Sequence, residues 1–247
     1  PLMPWPQEVN RPAAEGMLQI DNAVSIKISG DKLPGATDRW RQRISQQTGW
    51  QLQPAQANPA KPTIDIQIKK AVDPLPQLNS DESYELSVTA DGVKLTANTR
   101  FGAMRGMETL IQLIQNGPEN TAIAFVAIKD QPRFPWRGLL IDSARHFMPI
   151  KDILRQLDGM AAAKMNVLHW HLTDDQGWRF ASTAYPKLQQ LASDGDFYTQ
   201  AQMKEVVRYA TSLGIRVVPE MDLPGHASAI AVAYPELMSA PGPYVME

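Results

Sequence analysis

The stretch Asn166–Arg179, NVLHWHLTDDQGWR, decides the fold. It opens with an apolar run, Val167–Leu172, that reads as a buried strand. It closes on Asp174, Asp175, Gly177, Trp178 and Arg179. A strand delivering charged and aromatic groups at its C-terminal end is how α/β barrels present their chemistry. Two comparable stretches flank it, Gly138–Arg145 (GLLIDSAR) and Ile215–Asp222 (IRVVPEMD), the second running on into LPGH.

Helical patterns lie between these strands. Ile150–Met165 follows Pro149 with an apolar stripe of Ile153, Leu154, Leu157, Met160 and Ala161. Thr199–Leu213 has Thr199 as a cap and Gly214 for its left-handed end. Strand, helix, strand, helix, strand implies a parallel sheet with right-handed crossovers. The loop after Leu172 runs for roughly 25 residues, long enough to be functional.

Upstream of Asp130–Pro135 (DQPRFP), read as the domain boundary, the pattern is α+β. Strands are expected at Val24–Ile28, Thr63–Lys69 and Ile123–Ile128, with a hairpin of Ser83–Thr89 and Val93–Ala97. Helices are expected at Thr37–Thr48, with Trp40 and Ile44 four apart, and at Thr99–Gln115. Gln53–Pro62 reads as a loop and Asn116–Pro118 as a stop. No Asp, Glu or His here sits beside another at the end of a strong strand, so this half reads as scaffold.

The 247 residues are 43% hydrophobic and 20% charged, with a formal net charge of −2. That charge points to neither nucleic acid nor an anionic membrane. No run reaches the ~18 apolar residues of a membrane span. The absence of cysteine excludes disulfides, thiolate catalysis and Cys-based zinc sites. The chain begins at Pro1, read as a processed or trimmed end, and a periplasmic or secreted location is the expectation.

Adjacent carboxylates point in opposite directions on extended chain. One of Asp174 and Asp175 is therefore expected in the site and the other on a turn or a backbone N–H. Trp178 offers an apolar wall for a flat ligand, or loop packing. His169 and His171 form an HxH that binds metal in some barrel hydrolases. Strict alternation puts both opposite Asp174, facing the helices, as structural histidines. Glu220, Asp222 and His226 lie in PEMDLPGH, where a histidine bracketed by turn residues can orient a carboxylate. Arg137, Arg145 and His146 flank the first strand, and Asp142 can pair with either arginine.

WRG (Trp136–Gly138), DSARHF (Asp142–Phe147), HWHLTDDQGWR and VVPEMDLPGH, in this order, resemble the β-N-acetylhexosaminidases of glycoside hydrolase family 20. The first half resembles that family's accessory domain. The resemblance implies an α+β accessory domain over residues 1–130 and an incomplete (β/α)8 TIM barrel over 131–247, with about three strand–helix units present. It implies removal of terminal N-acetyl-β-glucosamine or -galactosamine from an oligosaccharide or glycoconjugate by substrate-assisted retaining catalysis, an exception to the two-carboxylate scheme. No cofactor, metal, nucleic acid or membrane is implied. Asp174 and His226 match the carboxylate and histidine that support the acid, and Arg137 matches an arginine binding sugar hydroxyls. Asp175 and Trp178 are added from the residue reading as candidate substrate contacts. The strand reading, however, puts Arg137 at the start of its strand, away from the mouth.

The family's Asp-Glu dyad, acid and acetamido-orienting group, has no counterpart here. The sole Asp-Glu is Asp81-Glu82, in the first half. Three strand–helix units do not close an eight-stranded barrel. The chain is therefore expected to be the N-terminal portion of a longer enzyme and inactive alone. The alternatives are a metal-dependent barrel hydrolase using His169 and His171, and a non-catalytic carbohydrate-binding protein.

Overall fold

The computed structural model describes residues 2–13, 15–22, 24–33, 35–50, 63–117 and 121–247. The loop expected at 53–62, and Pro118 of the expected stop, lie outside them. The chain divides into two compact units. The first is Pro1–Pro135 with the segments Ala161–Lys164 and Ser212–Gly214; the second is the remainder.

In chain order the first unit contains β1 (Glu8–Asn10), β2 (Met17–Ile20), β3 (Ser25–Ser29), α1 (Ala36–Thr48), β4 (Thr63–Ile68), β5 (Tyr84–Thr89), β6 (Gly92–Ala97), α2 (Arg100–Leu113), β7 (Ile114–Asn116), β8 (Thr121–Ala124) and β9 (Val126–Asp130). One sheet runs β1-β9-β5-β6-β4-β3 and a small antiparallel one runs β2-β8-β7. In the large sheet β4 is parallel to β3 and β6, and the other pairings are antiparallel. The stretch expected as one strand at Ile123–Ile128 is two, broken at Phe125 and belonging to different sheets.

The helices form where the residues dictate. Trp40 and Ile44 bury one face of α1, the Trp40 indole N–H donates to Met107 O at 2.8 Å, and Gly49 closes the helix at φ 77°. Thr99 caps α2 through its side chain. α2 is buried on every side from Arg100 to Ile111, so its charges are paired: Arg100 with Asp31, Arg105 with Glu82, and Glu108 with Arg39 and Arg43. Gly102 and Gly106 let it sit directly on the sheet. A Cβ on Gly102 would lie 2.1 Å from Ser83 O, and one on Gly106 would lie 2.3 Å from Leu95 Cδ1.

The second unit contains β10 (Gly138–Asp142), α3 (Ile150–Ala162), β11 (Val167–His171), β12 (Thr173–Asp174), β13 (Gly177–Trp178), α4 (Lys187–Leu191), α5 (Gln200–Ser212), β14 (Arg216–Glu220), α6 (Ser228–Ala233) and a 3-10 turn at Pro235–Leu237. Strands β10, β11 and β14 form a parallel sheet in that order, as the alternating pattern requires. Thr199 and Gln202 cap α5 reciprocally, and Gly214 stands at φ 67°. The long loop is not plain connection. It holds the β12–β13 hairpin and α4, and its Trp178, Leu188 and Ala192 form an apolar cluster with Ala229, Ile230 and Ala233 of α6. Among the described residues no helix is long and apolar enough to cross a membrane.

Candidate active site

Register builds the site. Asp142, His171 and Glu220 are direct partners across β10, β11 and β14, so one row at the C-terminal strand ends carries all three. In-register side chains of parallel strands share a face. One row below stand Leu140, His169 and Val218 on that same face. Ile141, Leu168 and Trp170 point the other way and are buried.

Asp174 joins this row, and the alternation argument fails at this point. The strand ends at His171, Leu172 intervenes, and the chain folds back as the β12–β13 hairpin. Asp174 and His171 are thereby brought together rather than placed on opposite faces, with His171 Nε2 3.0 Å from Asp174 Oδ2. Neither histidine of the HxH is turned away from the carboxylates. His169 Nε2 lies 2.5 Å and His171 Nδ1 3.2 Å from Glu220 Oε2, close contacts off the hydrogen-bond axis.

Asp174 is 1% exposed and held from four directions. Oδ2 also meets Arg145 Nη2 at 2.6 Å. Oδ1 accepts the Asp175 backbone N–H at 2.7 Å and meets His226 Nδ1 at 3.0 Å. Arg145 bridges onward to Asp142 at 2.7 Å, so Asp142 pairs with Arg145. His226 stands at φ 52° in the loop after β14, its side chain 54% exposed. That loop is pinned at both ends. The Asp222 N–H donates to Thr173 Oγ1, and Asp175 Oδ1 accepts from the Ser228 N–H and hydroxyl at 3.0 and 2.7 Å.

The electrostatics follow. Burial pushes the Asp174 carboxyl up, but the Asp175 N–H, His171, Arg145 and His226 outweigh it, so it lies below the ordinary carboxylate value. Bonds from Ser228 lower Asp175. Burial opposes, and bonds from Arg145 then lower, Asp142; burial opposes, and His171 and His169 then lower, Glu220. Burial pushes His171 down, yet its carboxylate neighbours Asp174, Glu220 and Asp142 win and raise it above its ordinary 6.5. Ionised Asp174 only accepts, so His226 donates to it from Nδ1.

A pH dependence of stability results. Lowered carboxylates favour the folded chain above their ordinary range, a contribution lost as pH falls through their folded values. Raised His171 favours it below 6.5, a contribution lost as pH rises through its folded value. The thermal midpoint should peak between the ordinary carboxylate range and pH 6.5 and decline above it. His171→Gln should flatten that decline; a variant keeping the full decline would refute the assignment.

Trp178 is buried in the loop's apolar cluster, its indole N–H donating to Phe180 O at 2.7 Å, so it presents no open face. Arg137 directly precedes β10, and its backbone pairs with Asn166. Five residues at about 3.3 Å each separate it from Asp142, so the strand does not bring it to the cluster. The sequence reading overlooked Arg179 as a support. Buried, it donates to the carbonyls of Ala144, Gln176, Ser193 and Asp196, tying the hairpin to the loop after β10. Gly177 makes room for it, since a Cβ there would lie 2.4 Å from Arg179 Cζ. His171, Glu220 and Asp222, and likewise Asp174, Asp175 and His226, bring possible cation-binding atoms within 4.8 Å. Both sets are engaged with one another or with neighbours, the arrangement of an ion-pair network.

Comparison with known proteins places this geometry. The profile of the glycosyl hydrolase family 20 catalytic domain matches residues 134–245, and that of domain 2 of the same family matches residues 1–131. Beta-hexosaminidase subunit A1 of Dictyostelium discoideum is 46% identical over 166 residues, covering 66% of this chain and 31% of the relative. The crystal structure of Flavobacterium johnsoniae chitobiase superposes with a TM-score of 0.88 at 42% identity, over 95% of this chain and 36% of that one. The exo-β-N-acetylglucosaminidase of Vibrio harveyi, solved with N-acetylglucosamine, gives 0.80 at 26% identity, over 97% and 38%. The chain thus spans about a third of the length of these relatives. Its parallel β10-β11-β14 sheet is part of their TIM barrel, and the α+β unit before it is their domain 2. The chain belongs to glycosyl hydrolase family 20.

Proposed function

We propose that the polypeptide to which this chain belongs is an exo-acting β-N-acetylhexosaminidase, releasing terminal N-acetyl-β-glucosamine or -galactosamine from oligosaccharides or glycoconjugates. The observation that carries the reading is the Asp174–His226 pair at the C-terminal ends of the strands, in a chain of this family. In this reading the substrate's acetamido oxygen attacks the anomeric carbon, and a carboxylic acid further along the polypeptide protonates the leaving oxygen. Asp174 fixes the His226 tautomer so that Nε2 faces that acid. Asp175 and Trp178 act as scaffold, given their engagements with Ser228 and Phe180. Contact of Arg137 with sugar hydroxyls rests on the resemblance alone. The names of the Flavobacterium chitobiase and the Vibrio enzyme agree with the substrate class.

The full-length protein should release the chromophore of an aryl N-acetyl-β-glucosaminide. Cleavage of another aryl glycoside with none of this one would overturn the reading.

A further inference from the structure

A carboxylate on a strand-end residue turns broadly about its last torsion, so a fixed orientation needs fixed partners. The two oxygens of Asp174 are divided between them. Oδ1 serves His226 and a backbone N–H, and Oδ2 is taken by His171 and Arg145. Arg145 reaches in from a loop and is half exposed. His171 is 5% exposed on the central strand of the sheet, so it is the rigid partner of the two.

Its surroundings hold the ring from every side. Glu220 on β14 stands at Nδ1, and Asp142 on β10 flanks it in register. Asp222 closes in within 4.8 Å, and His169 leans on the same Glu220 oxygen. The groups facing His171 are therefore four carboxylates, with Arg145 as the permanent cation on Asp174 and Asp142, and with His169 and His226 one carboxylate away. A ring with carboxylates at both nitrogens is favoured as imidazolium, in accord with its raised pKa.

We propose that His171 is a positioning residue of the site: clamped between Glu220 and Asp174, it fixes the carboxylate of Asp174 so that Oδ1 faces His226. His171 touches Asp174 alone among the residues assigned to the reaction and acts through it. Without the clamp, Asp174 rotates toward Arg145 and the orientation of His226 is lost. The kinetic consequence rests on the hexosaminidase reading; the orientation of His226 does not.

The test uses the full-length protein with His171→Gln and Glu220→Gln. His171→Gln keeps a donor but loses the charge and the second arm; Glu220→Gln weakens the clamp without touching Asp174. With an aryl N-acetyl-β-glucosaminide, His171→Gln should lower kcat by about 10²-fold, the effect of a small misplacement, with KM nearly unchanged and the pH profile shifted. Glu220→Gln should act in the same direction, less strongly. Selective 15N-histidine NMR should show the His226 signal moving from a single Nδ1–H form to a mixture in both variants. Unchanged kcat, pH profile and His226 signal in variants that melt like the parent would overturn the proposal. So would a fall in activity matched by the fraction unfolded, with the pH profile unmoved. If the parent cleaves no N-acetylhexosaminide, the functional reading fails, and the His226 signal alone decides the role of His171.

Discussion

On the proposed function, Asp174→Asn should cost the full-length protein about 10²–10⁴-fold in kcat/KM, the range of lost acid–base assistance. The substitution is nearly isosteric, so packing around a side chain 1% exposed changes little. The chemistry changes. Asp174 uses both oxygens: Oδ2 bonds with His171 and forms an ion pair with Arg145, and Oδ1 bonds with His226 and the Asp175 N–H. An amide has only one acceptor oxygen. If that oxygen stays on Arg145 and His171, an N–H2 group meets His226 Nδ1 and forces the opposite tautomer. If it turns to His226, Arg145 and the His171 N–H face a donor. Kinetics with an aryl N-acetyl-β-glucosaminide, with the melting curve as control, decide. A loss of less than about tenfold would show that this carboxylate is not central to catalysis.

Arg105→Met should destabilise the first unit by about 3–5 kcal/mol, the cost of breaking a buried ion pair from one side. Arg105 is 2% exposed and Glu82 7%, with Nε and Oε2 2.6 Å apart, and the guanidinium also donates to Gly214 O. Met fills a similar volume, so the loss measures electrostatics rather than a cavity. Adding Glu82→Gln should recover much of it, because the buried charge is then gone. Chemical denaturation followed by near-UV circular dichroism gives both numbers. A single-variant loss below about 1 kcal/mol would mean that the pair is dispensable.

Much of this was legible because the signals were local. β10 spans the apolar Leu139–Ile141 run with one residue more at each end, and Thr99, Thr199 and Gly214 mark helix ends by chemistry that acts within one turn. What was missed depends on distant partners. β1, β2 and β7 are three or four residues long and exist only because β9 and β8 pair with them. Nothing local at Phe125 announces a change of sheet. At the site, the motif groups Asp174 with His226, and the two stand 3.0 Å apart, but alternation sets His171 on the wrong face. Period-two alternation holds only while the strand lasts, and it ends one residue before the hairpin turns Asp174 back. Trp178 looked like a ligand wall because sequence shows the aromatic ring and not the α4 and α6 residues that cover it.

The charged row has a bearing on how the chain finds its fold. Sliding β11 by one residue against β10 and β14 would drive His171 into the layer of Ile141 and push Trp170 between Asp142 and Glu220. Hydrophobic matching penalises the first half of that error. The second half leaves two carboxylates facing an indole, so the mispaired state forfeits the ionic contacts as well. The residues of the charged row thus proofread strand alignment during folding, and substitutions among them should increase misregistered, aggregation-prone species even where the correctly folded molecule is scarcely destabilised.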